Sequence, residues 1–449
     1  KLTVACRSHS RQEGHEHNME VNDVGACLAG MGAAWRLQQA GVGTRVLEAT
    51  DRLGGRVLTV DWEGFRVDAG AQYIAGADSL FRPLASRLGL QADLQRCTPL
   101  RHAAVVRCGV PHRLGGASGH DALRCGALGW RDRMGAVRLL RGCCRYWRWD
   151  SARGQSAPGD DQVSVGEYLG RSGQDELLEY WARPLLALRG WRPEDVSLPM
   201  FLHLVSPSNG QQGWTLRGGV GRFCQALGAR LDTLTGARVE RVSAQARGVR
   251  VSFVRGGRRA AIEADAGVIA VPGTLVRSLL AEVPPAWAAL LDRVSYTVGL
   301  PVYFVLEVPQ ELQIPMGHRL APDGQGVAAV AHSPDRRRLL VRVWPSSAER
   351  LFGRPEEEVF DLARRGMASL WPELAGQQVV AQRLFRWPAR VPCWRAGYLG
   401  VLRAARPHLR CGPLFLTGDY LAGPGTGPAL ADGWACAGQV LEYLERLVR

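Results

Sequence analysis

Lysine is all but missing from this chain: Lys1 is the sole example, so 55 of the 56 basic residues are arginine. A guanidinium keeps its proton below about pH 12, so no arginine can serve as a neutral amine base at ordinary pH. Also lacking is any apolar run of the ~18 residues that a membrane-spanning helix requires. The eleven cysteines contain no C-x-x-C pair and no metal-like spacing. Cys143-Cys144 is a vicinal pair ill suited to a structural bridge, and a reducing cytoplasmic compartment is the expectation. No metal site is expected either. His15 and His17 fall in Lys1 to Asn18, a polar stretch without a signal-peptide pattern that reads as a mobile tail. No internal repeat is evident.

The net charge of +14 suggests acidic partners, yet the arginines are scattered rather than gathered into a dense run, so specific nucleic-acid binding is not expected. The nearest approach to a patch is Arg133, Arg138, Arg141, Arg145 and Arg148 with Tyr146, Trp147 and Trp149. It reads either as a contact for a membrane surface or a flat acidic substrate, or as a helix with snorkelling arginines; the plainer second reading is favoured. At 449 residues, 46% of them hydrophobic, the chain is long enough for two substantial cores.

What is present begins at Gly25. Gly25-Ala26-Cys27-Leu28-Ala29-Gly30 is a glycine turn opening an amphipathic run, followed by the short apolar segment Thr44 to Leu47 and by Glu48 and Ala49. Such a βαβ start sets backbone N–H groups and a helix N-terminus against a pyrophosphate, with a carboxylate for ribose hydroxyls. Glu48 lies 23 residues after Gly25, near the ~20 of a dinucleotide-binding unit. Two features depart from the fingerprint. Cys27 stands where a middle glycine admits the phosphates, and Asn22 and Asp23 make Val21 to Val24 a poor buried strand.

Further along, Asp51-Arg52-Leu53-Gly54-Gly55-Arg56-Val57 is followed by Asp68-Ala69-Gly70-Ala71-Gln72-Tyr73. Arg217 to Phe223 leads into a helix and then Ala237 to Val242; Gly267 to Pro272 is a strand ending in proline. Leu414 to Tyr420 is an apolar strand ending in Gly418-Asp419, then a turn at Pro424 to Pro428 and a helix from Ala429 to Leu447. In order and spacing these stretches resemble the flavin-dependent amine oxidase, protoporphyrinogen oxidase and carotenoid desaturase superfamily.

The resemblance implies an α/β fold, with a Rossmann-like FAD-binding domain and an inserted α+β substrate domain. The FAD domain would comprise residues 19–78, 212–285 and 395–449, and the substrate domain 79–211 and 286–394, after the tail 1–18. It further implies non-covalent FAD, since the surroundings of Cys393 and Cys436 do not match the covalent-flavin motif. Arg52, Gly54, Gly55 and Arg56 would lie along the diphosphate, and Gly70, Ala71, Gln72 and Tyr73 along the isoalloxazine. Val239 would meet the adenine through its backbone. Gly418 and Asp419 would hold the ribityl region, and Pro428 and Ala429 would open a helix aimed at the flavin. Tyr73, Trp387, Trp394, Tyr398 and Tyr420 are candidate cavity walls, with core packing equally open for each. The amine oxidases of this superfamily typically use a lysine near the flavin, and the corresponding strand here, Tyr296 to Val302, has none.

The resulting expectation is an FAD-dependent oxidoreductase taking a hydride from a hydrophobic or conjugated small molecule, with the arginine abundance suiting an acidic one and peripheral membrane contact left open. Two alternatives stand beside it: a degenerate member that has lost FAD and serves as a binding or scaffold protein, and a weaker one, an NAD-dependent dehydrogenase.

Overall fold

The structure is a computed structural model that describes residues 19–76, 78–98, 100–114, 118–145, 161–206, 213–345 and 347–449. The expected tail with His15 and His17, and the patch residues Tyr146, Trp147, Arg148 and Trp149, lie outside the described residues. No helix among the described residues is long and apolar enough to cross a membrane.

Two sheets organise the molecule. The first has six strands in the order Arg410–Cys411, Leu414–Leu416, Ala266–Ile269, Glu20–Val24 (β1), Gly43–Leu47 (β2) and Asp232–Leu234. Apart from the antiparallel edge strand Arg410–Cys411, every pairing in it is parallel. Remote pieces of sequence therefore end side by side at the carboxyl edge of one sheet, the edge at which open parallel sheets bind ligands. Two helices cover a face of this sheet: Leu28–Gln39 (α1), and the C-terminal helix Thr426–Val448. They touch at backbone level. A Cβ on Gly433 would lie 1.9 Å from the Ala29 carbonyl oxygen, and one on Gly32 would lie 2.8 Å from a Leu430 methyl.

The second sheet has seven strands in the order Gln378–Leu384, Val302–Glu307, Arg338–Trp344, Gly326–His332, Gly317–Leu320, Ala103–Arg107 and Val110–Arg113. Side chains alternate between its faces. Val302, Phe304, Val341 and Val343 pack on Val359, Ala363 and Met367 of the helix Glu356–Leu370. Tyr303, Val305 and Leu340 face the other way, onto Phe65, Val67 and Ala69. The register sets Arg342 opposite Tyr303 on that second face, which packs on the stretch Phe65 to Ala69 that leads into the Gly70–Tyr73 segment.

Two expectations need correction, and two features of the substrate domain are new. Val21 to Val24 is not a poor strand but part of a central one, because pairing on both sides and burial of Val21 and Val24 override the low β-propensity of Asn22 and Asp23. The C-terminal helix begins at Thr426, not Ala429, so Gly427 and Pro428 belong to its first turn. Proline lacks only a donor that has no intrahelical partner there. Residues 79–211 are helical in part but also contribute the strands Leu94–Cys97, Ala103–Arg107 and Val110–Arg113. Finally, the helical run Asp175 to Ala187 is interrupted by a π turn at Leu178–Ala182.

Candidate cofactor and active site

The glycine turn after β1 shows why its residues are small. Gly25 has φ +112°, and a Cβ there would sit 2.9 Å from the Ala270 carbonyl oxygen. Gly30 packs so closely that a Cβ would lie 2.1 Å from the Gly25 carbonyl oxygen. The first turn of α1, from Leu28, Ala29 and Gly30, carries neither a side-chain cap nor an acid. Its N–H groups therefore form a ready anion site at the sheet's carboxyl edge.

Glu48 closes one side. Its Oε2 accepts from Ala26 N at 3.1 Å, and its Oε1 accepts from Thr50 N at 2.9 Å and Thr50 Oγ1 at 2.8 Å. The Glu48 carbonyl accepts from Ala237 N at 2.8 Å, which brings the strand carrying Val239 alongside. Ala49 is exposed beside it. Gly54 N donates to the Ala26 carbonyl at 2.8 Å, so the second glycine pair folds directly over the first turn. Gly54 and Gly55 both have positive φ, and a Cβ on Gly55 would lie 3.3 Å from Cys27 Cβ. Arg52 braces the loop by donating to the Gly55 carbonyl at 2.7 Å.

Cys27 does not cap α1. Its thiol donates to the Ala270 carbonyl at 3.0 Å, filling part of the space between the glycine loop and the strand Ala266–Ile269. Burial pushes this thiol up, only partly offset by the N–H of Gly30 and by Arg56, so it stays neutral.

Arg56 is the hub of the far side. Its Nη1 donates to Asp419 Oδ2 at 2.7 Å and to the Arg390 carbonyl at 3.2 Å, and its guanidinium lies 5.3 Å from the Tyr296 ring centroid. Tyr296 in turn donates to Asp419 Oδ1 at 3.1 Å and accepts from Gly273 N at 3.2 Å. Burial pulls the Arg56 pKa down, but Asp419 and Tyr296 more than reverse this, so it is firmly cationic. Behind it, Asp432 accepts from Thr417 Oγ1 at 2.8 Å and Gly418 N at 3.0 Å. Burial lifts Asp432 to about 6 against those two donors.

The expected ring-lining segment follows immediately. A Cβ on Gly70 would lie 2.0 Å from the Arg56 carbonyl oxygen, and Ala71 N donates to that same oxygen at 3.0 Å. Gln72 and Tyr73 continue it, both half-buried. Trp387 Nε1 donates to the Ala69 carbonyl at 3.0 Å, and Thr426 Oγ1 to the Tyr73 carbonyl at 3.1 Å. The N-terminus of the C-terminal helix, with Pro428 and Ala429, thus abuts this segment.

Of the five aromatic candidates, Tyr73 and Trp387 remain half-buried beside the segment. Tyr398 and Tyr420 are buried in the core, with Tyr398 Oη donating to the Tyr420 carbonyl at 2.9 Å. Trp394 is also fully buried, edge-on to Tyr398, and borders only a small cavity of about 190 Å³ with Trp191 and Thr297.

Sequence reasoning missed Tyr296, Gly273 and Arg342 as site residues. Arg342 carried a signal: it interrupts an apolar strand at a position that period-two alternation sends to the site face. The role of Tyr296 lies in a contact 123 residues away, which no local pattern encodes.

A cradle that any side chain would fill, an uncapped helix N-terminus, and the carboxylate and guanidinium at its two ends together fit an extended dinucleotide. The relatives agree. The chain is 29% identical over 280 residues to a protein named as a flavin-containing monoamine oxidase, AofH of Mycobacterium tuberculosis, covering 57% of either chain. It is 25% identical to 15-cis-phytoene desaturase of Narcissus pseudonarcissus, over 100% of this chain and 83% of that one. Among solved structures, cyclohexylamine oxidase from Brevibacterium oxydans shares the fold, with TM-score 0.74 and 18% identity over 96% of this chain and 100% of the other. Residues 28–441 match the family described as flavin containing amine oxidoreductase, and the chain belongs to that family.

Proposed function

We propose that this protein binds FAD non-covalently and removes a hydride from a hydrophobic or conjugated small molecule. One observation supports this above others. Segments from four parts of the chain meet in one groove, with Ala26 N on Glu48, Gly54 N on Ala26, and Arg56 on Asp419.

FAD, when bound, supplies the hydride-accepting ring, while the protein contributes placement and electrostatics. Glu48 would take the ribose, exchanging its bond from Ala26 N for ribose hydroxyls. The first turn of α1 and Arg56 would hold the diphosphate; Arg56 Nε and Nη2 have no protein partner among the described residues. Gly70 to Tyr73 and Trp387 would wall the ring. The N-terminus of the helix Thr426–Val448 would bring its positive dipole end to the ring's edge, where negative charge accumulates on reduction.

A lysine-assisted amine oxidation does not suit this chain. In the strand Tyr296–Gly299, a Cβ on Gly299 would lie 2.6 Å from Arg390 Cδ, so the position is taken up by an arginine stem. The test is an anaerobic titration of the purified, FAD-loaded protein with a porphyrinogen, a reduced polyene and a primary amine. Bleaching of the flavin band by one of the first two, and not by the amine, is expected. A colourless protein that takes up no added FAD would overturn the proposal in favour of the degenerate binding protein.

A further inference from the structure

We propose that Arg342 and Arg390, backed by Arg189, form a subsite for a carboxylate of the substrate beside Tyr73. This rests on the oxidoreductase reading only in calling the bound anion a substrate. The arginine site itself is made of protein alone.

Arg342 is 5% exposed in the middle of the seven-stranded sheet, on the face turned to the site. Its guanidinium lies 3.9 Å from the Trp344 ring centroid, and the opposite strand presents Tyr303, whose hydroxyl donates to the Asp68 carbonyl at 3.0 Å. A side-chain hydrogen bond between Arg342 and the Tyr303 hydroxyl helps hold the group flat and fixed, yet its buried Nε has no hydrogen-bond partner among the described residues. Arg390 is half-buried; its Nη2 donates to the Leu188 carbonyl at 2.6 Å, and its own carbonyl is held by Arg56. The Arg390 stem fits only because residue 299 is glycine.

Neither guanidinium has an ion-pair partner among the described residues. Asp68 is close enough to act on Arg342 but forms no ion pair with it; its Oδ1 accepts from Thr59 Oγ1 at 2.5 Å and Val220 N at 3.1 Å. Burial, and after it the nearby positive charges of Arg342 and Arg189, push Arg390 down to about 10. Tyr73 lies within electrostatic reach of both arginines.

Burying unpaired like charges is costly, and a fold that holds them rigid gains nothing from them until an anion arrives. Elsewhere the same stacking is neutralised: Arg319 lies on Trp371 but is bonded by both carboxylate oxygens of Glu373. Two planar forks fixed at the edge of an apolar site suit a planar carboxylate, which each can bind in bidentate fashion. Their place beside Tyr73 puts the anionic end of a substrate next to the expected ring-lining segment.

The test uses benzoate as the anionic probe, with benzylamine as its cationic counterpart, titrated calorimetrically into the full chain with and without FAD. Benzoate is expected to bind saturably and benzylamine not at all. Arg342→Met and Arg390→Met should each weaken benzoate at least tenfold while the melting temperature stays level or rises, since each removes an unpaired buried charge. Arg342→Lys should restore part of the affinity. Control Arg350→Gln, on the surface, should bind as wild type. If benzoate does not bind, if benzylamine binds as tightly, or if a folded methionine variant binds benzoate unchanged, the subsite is refuted. Should a methionine variant fail to melt cooperatively, Arg342→Lys decides: affinity within twofold of wild type supports a charge-based site, and its complete loss in a folded protein contradicts it. Failure to take up FAD would strike the oxidoreductase reading and leave the benzoate result standing.

Discussion

Asp23 is fully buried, and neither of its carboxylate oxygens has a hydrogen-bond partner among the described residues. Burial holds its pKa well above the ordinary carboxylate value, so folding requires it to be protonated. A group whose folded pKa is raised in this way favours the folded state below its unfolded pKa and loses that contribution as pH rises. Replacing Asp23→Val should therefore stabilise the protein by about 2 kcal/mol near neutrality. Denaturant melts should show that advantage shrinking as pH falls towards 4. Cys27 makes the companion case at the site. With its thiol on Ala270 and its Cβ under Gly55, removing the side chain in Cys27→Gly should tighten FAD binding at least threefold. Unchanged affinity in a flavin titration would show that the thiol lies clear of the diphosphate. Both residues were visible in the sequence as departures from the fingerprint. Their consequences were not, because burial and the distance to Ala270 depend on a strand more than two hundred residues away.

At the level of elements, α1 and the C-terminal helix are bound by small-residue contacts. Gly433 meets the Ala29 backbone with no room for a methyl, so Gly433→Ala should cost about 1–3 kcal/mol by forcing the helices apart. Because α1 presents its first turn to the groove, the same variant should weaken FAD binding as well; thermal melts with and without FAD measure the two effects separately. Elements marked by local chemistry were readable in advance. The helix Glu356–Leu370 has three glutamates in its first turn and ends at Trp371-Pro372, both of which are local start and stop signals. The C-terminal helix was read three residues late because Pro428 looks like a turn residue when it sits in a helix's first turn. The strands between Leu94 and Arg113 carry little local signal because they are short and partly exposed, and partners of theirs lie at Gly213–Leu216 and Gly317–Leu320.

Across the whole molecule, the groove is assembled from residues near 25, 48, 56, 70, 239, 273, 296 and 419, so its cofactor should act as a clamp on the entire fold. A ligand that binds only the native state stabilises it by about 2.7 kcal/mol at one hundred times its Kd. Added FAD should thus raise the melting temperature in proportion to the logarithm of its concentration. The pieces near 25, 48, 56, 70 and 419 stand out in the sequence because each carries a glycine or charge of the kind a phosphate or ribose demands; Val239, Gly273 and Tyr296 carry no such mark. How they are joined was not: the Arg56–Asp419–Tyr296 bridge and the Arg342–Arg390 pair arise from sheet topology, not from any local spacing.

The convergence itself is tested most directly by titrating FAD into the purified chain and following flavin fluorescence for wild type, Cys27→Gly and Glu48→Ala. The groove described here predicts saturable one-to-one binding by wild type, tighter binding by Cys27→Gly, and at least tenfold weaker binding by Glu48→Ala, a loss of about 1.4 kcal/mol. Folded wild type and Cys27→Gly that both leave the flavin signal untouched would contradict it.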